Sequence, residues 1–310
     1  MMVRRVAGAA EVFRYMDIAI ISRGEALYST RRLVETTRDH GHRPIVLNPA
    51  ESVLLVANGE SCVMQRGVRL PHLDIVVPRI GPNSIGHGLA LVRHLEHSGS
   101  YVLNSSDAIS RARDKLRCLQ ALGAADIRVP RTAFASQVSD IDRLIGAVGG
   151  LPVVIKLLNS SQGMGVMLAE NRRAVRSALD TFQTLGQSVL VQEFVSDARG
   201  DDIRALVVGD SVIAAIRRHA APGDFRANIH RGGTAEPAKI TRELQRVALA
   251  AKRSVRLDIA GVDMLETADG FLVLEVNVSP GLEAIESTTG TDVASRIIEH
   301  AIEQHHRYHR

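Results

Sequence analysis

The chain has 310 residues, 45% of them hydrophobic and 23% charged, which suits two or three globular domains. A net charge of +4 calls for anionic partners, yet aromatics make up only 3% and tryptophan is absent, so base-stacking surfaces are scarce and no nucleic-acid partner is expected. No apolar run reaches membrane-spanning length, and Cys62 and Cys118, far apart and in no CxxC, fit packing roles in a reducing cytoplasm.

Residues 1–16 are basic and alanine-rich without the apolar core of a secretory signal, and are expected to be a disordered extension. From Asp17 the pattern alternates. DIAIIS is a strand, ALYSTRRLVETTRDHG a helix ending at Gly41, and PIVLNP and LDIVVPRIG are strands. A helix over 87–98 and the strand YVLN follow. This alternation implies a parallel sheet covered by helices, without the GxGxxG of a dinucleotide site. Arg79 closes a strand at the sheet edge where such folds place ligands. One helix is expected over 107–122, capped by Ser106 or Asp107 and carrying Arg111, Arg113, Lys115 and Arg117.

LPVVIKLL reads as a strand with a single lysine, Lys156, among apolar residues; a partly buried lysine needs a counter-charge. The glycine-bearing loop 159–165 follows it, too unlike a Walker loop to be one, but suited to folding over phosphates. SVLVQEFV is the next strand. ALVVGDSVIAAI is a hairpin turning at Gly209-Asp210 that delivers Arg217 and Arg218. PGDFRANIHRGG carries Arg226, Asn228, His230 and Arg231 in a loop. An amphipathic helix spans 240–256, and a last helix near 291–304 runs into a histidine-rich end expected to fray.

The most informative stretch is GVDMLETADGFLVLEVNVSPGL, residues 261–282. Ala268-Asp269-Gly270 supplies turn chemistry between two apolar runs, so a hairpin is expected. A turn centred on Asp269 sets Asp263 across from Glu275. Alternation then places Phe271, Val273, Glu275 and Asn277 on one face, and Leu272, Leu274, Val276 and Val278 on the other. Two carboxylates about 5 Å apart repel by about 3 kcal/mol at an effective dielectric near 20. A cation removes that cost, and an all-oxygen set of Asp263, Glu275 and Asn277 suits magnesium or manganese rather than zinc.

Asp263…Glu275-Val-Asn277-Val-Ser-Pro-Gly281, with Lys156, Gln192-Glu193-Phe194 and Arg226-Ala227-Asn228, resembles the ATP-grasp ligases. The N-terminal stretches ISRGEALYSTRRL, LPHLDIVVPRIG and SRARDKLRCLQAL are similar to the bacterial branch that adds glutamates to the C-terminus of a small-subunit ribosomal protein, and the likeness runs from Asp17 to about residue 302. The resemblance implies an α/β and α+β fold: an N-terminal α/β (pre-ATP-grasp) domain over 17–110, then a two-subdomain ATP-grasp fold. The central subdomain, 111–192, carries the glycine lid, and the C-terminal subdomain, 193–310, the metal site.

It also implies roles. Lys115 and Lys156 would meet ATP phosphates, and Glu193 and Phe194 would lie at the hinge that holds adenine. Asp202 would meet the ribose, and Arg226 and Asn228 the nucleotide and reacting phosphate. Ala227 stands where the family often has serine, leaving a backbone contact. The implied reaction activates a carboxylate as an acyl phosphate for attack by L-glutamate. The acceptor would be a ribosomal-protein C-terminus or acidic peptide; a small-molecule or coenzyme acceptor is the alternative. Arg217, Arg218, Arg226 and Arg231 are expected to make the site cationic for acidic substrates. The enzyme is expected to be a cytoplasmic homo-oligomer. A non-catalytic nucleotide binder would be expected to lack the metal ligands, which this chain keeps.

Overall fold

A computed structural model describes residues 15–58, 60–81, 84–135, 140–158, 165–198, 200–227 and 232–309. Strand β1 (Asp17–Ile21) is apolar after Asp17 because both its faces are covered, as in a parallel sheet. It leads through α1 (Tyr28–Asp39) to β2 (Arg43–Leu47), and Gly41, at φ +76°, takes the left-handed conformation that ends the helix. Next come β3 (Ser52–Ala57), β4 (Glu60–Gln65) and β5 (Val68–Arg69), a small antiparallel sheet where no element was expected. Strand β6 (Ile75–Pro78), α2 (Ile85–His97) and β7 (Tyr101–Val102) complete a parallel sheet ordered β2-β1-β6-β7.

The single helix expected over 107–122 is two, α3 (Ser106–Arg113) and α4 (Lys115–Ala124). Asp114, in extended conformation, breaks them: its carboxylate accepts the N–H of Arg117 at 3.0 Å, because aspartate caps a helix better than it continues one. The N-cap of α3 is Ser105, one residue before the expected cap.

Strand β8 (Thr132–Ala135), α5 (Ile141–Ala147), β9 (Val153–Leu157), β10 (Val166–Ala169), α6 (Arg172–Thr184) and β11 (Val189–Glu193) form a central lobe with an antiparallel sheet ordered β10-β9-β11-β8. Val153, Ile155, Val189 and Val191 share a core with Ile141, Ile145, Val175 and Leu179 of the two helices. Lys156 and Gln192, one position out of phase, therefore face the other way. Cys118 and Leu122 of α4 belong to a different core, so the lobe's own core begins at β8 rather than near residue 111.

Strands β12 (Asp201–Val208), β13 (Ser211–His219) and β14 (Thr234–Pro237), helix α7 (Arg242–Ser254), and strands β15 (Ile259–Thr267) and β16 (Gly270–Asn277) build a five-stranded sheet ordered β14-β13-β12-β15-β16. The β12–β13 hairpin turns at Gly209-Asp210 as expected. One face of this sheet (Ala205, Val262, Met264) packs on α7 in the core that also takes Ala19, Val76 and Leu91. The other (Leu206, Ile216, Ile259) packs with Ile18, Ile20 and Ile75 against the last two helices, α8 (Glu283–Thr289) and α9 (Val293–Tyr308). The N-terminal sheet and the five-stranded sheet thus share two cores.

The C-terminal end does not fray where expected: α9 is helical through Tyr308, and His305 is buried. The start of α9 is anchored by buried Glu286, which accepts the N–H groups of Val293 and Ala294 at 3.0 Å each and the Tyr28 hydroxyl at 2.8 Å. Glu286→Ala leaves those two buried N–H groups without an acceptor and is expected to cost about 3 kcal/mol, read as a lower urea midpoint for the transition of the unit that contains α9.

Candidate active site

The β15–β16 hairpin does set Asp263 directly across from Glu275. The route differs from the one expected. Thr267 pairs with Gly270, so the turn centres between Ala268 and Asp269, and an unbroken ladder would bring Leu274 opposite Asp263. The register shifts between Asp263 and Met264, and this bulge admits Leu274 as an extra residue and moves Glu275 onto the rung. The shift also corrects the expected faces. Val276 and Val278 join Phe271 and Val273 in the core, leaving Glu275 and Asn277 with Asp263 on the polar side.

Three side chains converge there. Asn277 Nδ2 donates to Asp263 Oδ2 and to Glu275 Oε1, each at 3.2 Å. Turned over, the same amide presents its oxygen at that point, giving two carboxylates and a carbonyl. Such a set fits magnesium, which takes few protein ligands when substrate phosphates supply the rest. Among the described residues there is no group of three or more His, Cys, Asp or Glu that could hold a metal, so this mixed acid–amide set stands as the metal candidate. Gly261 pairs with Asn277, and a Cβ on it would lie 2.8 Å from Pro280 Cβ; only glycine lets the Ser279-Pro280 segment fold back this closely.

The hairpin's two ends are held by one residue. Asn104, after β7, accepts the N–H groups of Asp258 (2.7 Å) and Ile259 (3.0 Å) and donates to the carbonyls of Ile259 (2.9 Å) and Val278 (3.2 Å). The Ser279 hydroxyl donates to the Pro78 carbonyl at 3.3 Å, so the N-terminal domain helps set where the acid–amide set stands.

The positive charges are arranged differently from expectation. Arg204 binds both oxygens of Asp263 at 2.6 Å, and Arg218 binds both oxygens of Asp202 at 2.6 Å while reaching Asp263 Oδ2 at 3.0 Å. Burial would raise the Asp263 carboxyl, but the two arginines outweigh it and hold it well below the usual carboxylate range. Burial pushes the Asp202 carboxyl up to about 6, against the pull of Arg218. Asp202 is therefore a buried ion-pair partner, and a ribose contact would have to share it with Arg218. Arg217 projects to the opposite face and pairs with Glu266, so it adds nothing to the site. Arg226 lies on Asp224, with Nε 2.8 Å from Oδ1 and Nη2 2.9 Å from Oδ2. Of the four arginines expected to make the site cationic, only Arg218 touches the carboxylate cluster; Arg231 lies outside the described residues, as do Asn228, His230 and residues 159–164 of the glycine loop.

Two lysines from other elements lie within electrostatic reach of the cluster. Lys156 donates to Gln192 Oε1 at 2.6 Å, and Gln192 donates in turn to the Thr132 hydroxyl at 2.7 Å. Lys115 donates to the Leu158 carbonyl at 3.3 Å, just before the glycine loop. Burial lowers the pKa of both ammonium groups and the charge of Glu275 opposes it; the counter-charge that the sequence demands for Lys156 is thus Glu275, with Asp263 behind it. Lysine occurs only four times in this arginine-rich chain, and two of the four meet here. That scarcity was a readable signal.

At the hinge, the Glu193 carboxylate accepts the Arg131 N–H at 3.1 Å. The Phe194 ring meets Phe225 edge-on at 6.4 Å, Arg226 lies 5.4 Å over Phe225, and Arg226 Nη1 reaches the Val166 carbonyl at 3.4 Å. The hinge, the 224–227 loop (Ala227 included) and the end of the glycine loop are thereby neighbours. Arg204 and Asn104 escaped sequence reasoning. Arg204 had a signal, alternating with Asp202 inside an apolar strand; Asn104 had none, since the partners of its side chain are all backbone atoms more than 150 residues away.

A lobe bearing a lysine and a glycine loop, set against a sheet bearing two acids and an amide, defines an ATP-grasp ligase. Family models agree: a RimK PreATP-grasp domain matches residues 16–109 and a RimK-like ATP-grasp domain matches residues 112–301. The chain belongs to the RimK-like ATP-grasp family. It is 49% identical to a probable alpha-L-glutamate ligase of Klebsiella pneumoniae (strain 342), over 91% of this chain and 94% of that one. It is also 49% identical to the ribosomal protein bS6–L-glutamate ligase of Escherichia coli O81 (strain ED1a), over 94% and 96%. The fold matches a RimK domain ATP-grasp protein from Sphaerobacter thermophilus (TM-score 0.72, 24% identity, 92% and 99% covered). It equally matches the ATP-grasp ligase PsnB, solved with its minimal precursor, Mg and ADP (TM-score 0.72, 20% identity, 94% and 98% covered). ATP-grasp ligases use ATP with magnesium. The described residues include no helix long and apolar enough to cross a membrane.

Because burial lowers the pKa of Lys115 and Lys156 from 10.5, their charge is lost at lower pH than that of a free lysine. Affinity for a non-hydrolysable ATP analogue is therefore expected to fall as pH rises from 7.5 toward 10. Lys156→Arg, which stays protonated, should flatten the dependence. Calorimetric titration across that range checks it, and equal binding at both ends would remove the lysines from phosphate binding.

Proposed function

We propose that this enzyme adds L-glutamate, at the expense of ATP, to the C-terminal carboxylate of a protein, with a ribosomal protein as the acceptor. The observation that carries the reading is the convergence of Asp263, Glu275 and Asn277 with Lys115 and Lys156, in a chain that resembles named glutamate ligases across its N-terminal domain as well as its ATP module. In the first step an acceptor carboxylate oxygen bonds to the γ-phosphorus while the bond to ADP breaks. The glutamate amine then attacks the acyl carbon, releasing phosphate and a proton, and leaves an amide.

Phosphoryl transfer asks mainly for positioning and charge neutralisation, and the chain's groups are suited to both. Lys115, Lys156 and Arg226 hold phosphates, Asn228 meets the reacting phosphate, and the Ala227 backbone contributes an N–H. Glu193 and Phe194 line the adenine end, and Asp202 stands toward the ribose. Asp263, Glu275 and Asn277 hold magnesium or manganese, which when bound neutralises phosphate oxygens. The glycine-bearing sequence 159–165 is of a kind suited to folding over phosphates. The enzyme works in the cytoplasm; the apolar side chains that β3 leaves at the surface, Val53 at 56% and Val56 at 78% exposure, support a homo-oligomer.

The test is to incubate the enzyme with ATP, magnesium, L-glutamate and either a ribosomal protein or short acidic peptides, and to weigh the products. Gain of whole glutamyl residues with stoichiometric ADP is expected. Turnover only with a small-molecule acceptor would transfer the function to that class. Glu275→Gln should fold as the parent does and lose at least about a hundredfold in turnover; full activity in this variant at ordinary magnesium would remove the metal assignment.

A further inference from the structure

The N-terminal sheet carries a feature that the nucleotide and metal residues do not use. Strand β1 has β2 on one side and β6 on the other, so the chain reverses its direction of winding between β1 and β6. Open α/β sheets bind ligands at that switch point, beyond the carboxyl ends of the strands. Arg79 is the first residue after β6. Its N–H donates to the Ile21 carbonyl at 2.8 Å, fixing it against the end of β1, and its Nη2 donates to the Pro280 carbonyl at 2.5 Å, three residues beyond Asn277. Arg113, at the end of α3, donates from Nη1 to the Ile80 carbonyl at 3.1 Å, beside Arg79.

These two guanidinium groups differ from the other arginines around the site. Arg204, Arg217, Arg218 and Arg226 each hold a carboxylate. Among the described residues, Arg79 and Arg113 form no ion pair with an acid, although both are half-buried. Burial lowers both pKa values, that of Arg79 to about 10. A charge kept out of water without a counter-ion is costly. Arg113 is also close enough to Lys115 to lower its pKa, and Lys115 in turn feels Glu275. The arginines therefore adjoin the phosphate-binding lysines on the N-terminal-domain side.

We propose that Arg79 and Arg113 form the subsite that holds the non-reacting carboxylates of the incoming L-glutamate. This rests on the ligase reading above. The planar guanidinium fork matches a carboxylate bidentately. Phosphates already have Lys115, Lys156 and Arg226. Glutamate brings two carboxylates that take no part in bond formation, and holding them aims its amine at the acyl carbon. The acceptor's reacting carboxylate, by contrast, must stay free to meet phosphorus.

The test compares the parent enzyme with Arg79→Lys and Arg113→Met, by steady-state kinetics and by the melting shift that L-glutamate produces in the presence of ADP and magnesium. In both variants KM for L-glutamate should rise at least about tenfold, with KM for ATP and acceptor within about twofold, and the melting shift should vanish. Preference for L-glutamate over L-glutamine should shrink. Variants that keep the parental KM and melting shift, in an enzyme that makes glutamyl product, overturn the subsite and leave the ligase reading intact. A parent stabilised by L-glutamate through these arginines but forming no product supports the subsite and overturns the ligase reading. A rise in KM for the acceptor instead overturns the assignment to glutamate. Since Arg79 also braces Pro280, the unliganded melting temperature serves as the folding control, and if Arg79→Lys fails it, Arg113→Met decides.

Discussion

Two carboxylates facing each other on one rung of a buried hairpin are the constraint around which this molecule is arranged. Two negative charges this close repel each other, and elements from across the chain send positive charge to offset that cost. Arg204 and Arg218 come from the sheet the hairpin belongs to, Lys156 from the outward face of the central lobe, and Lys115 from the start of α4. Each of these cations is itself partly or wholly withdrawn from water, so neither sign of charge is stable without the other. A nucleotide with its metal adds charge of both signs to an arrangement already near balance.

The architecture was largely legible because its signals are local: apolar runs of strand length, helix stops at glycine, turn chemistry at Gly209-Asp210 and Ala268-Asp269. The acid pair was legible too, although by a compensation. A turn placed half a residue too late and a bulge left out cancel at Asp263–Glu275, and the omission shows only beyond it, where Val276 and Val278 change sides. The break in the helix expected over 107–122 was not legible, since the extended conformation of Asp114 depends on a cap bond to Arg117 that competes with helix continuation. The arginines were counted as free charge, because sequence records that a residue is cationic and not that an acid two strands away has claimed it, as with Arg217 and Glu266.

Positioning of Asp263, Glu275 and Asn277 is a tertiary matter. Asn104 stitches the start of β15 to the end of β16, Ser279 leans on Pro78, and Gly261 admits Pro280. None of these residues would be singled out by chemistry alone. Together they make the N-terminal domain part of the catalytic scaffold, which accounts for likeness to the glutamate ligases along nearly the whole chain rather than in the ATP module alone.

The central lobe's private core has a consequence for how the protein comes apart. The N-terminal and five-stranded sheets are welded by two shared cores, whereas the lobe from β8 to β11 is held by its own. Two cooperative units of unequal size sit in one chain, and amide exchange should separate them, the smaller opening with a lower free energy than the whole. The unfolding curve of the unliganded protein is then a composite, not a single two-state transition. A ligand gripped by both units at once ties their equilibria together, so saturating nucleotide should merge two transitions into one.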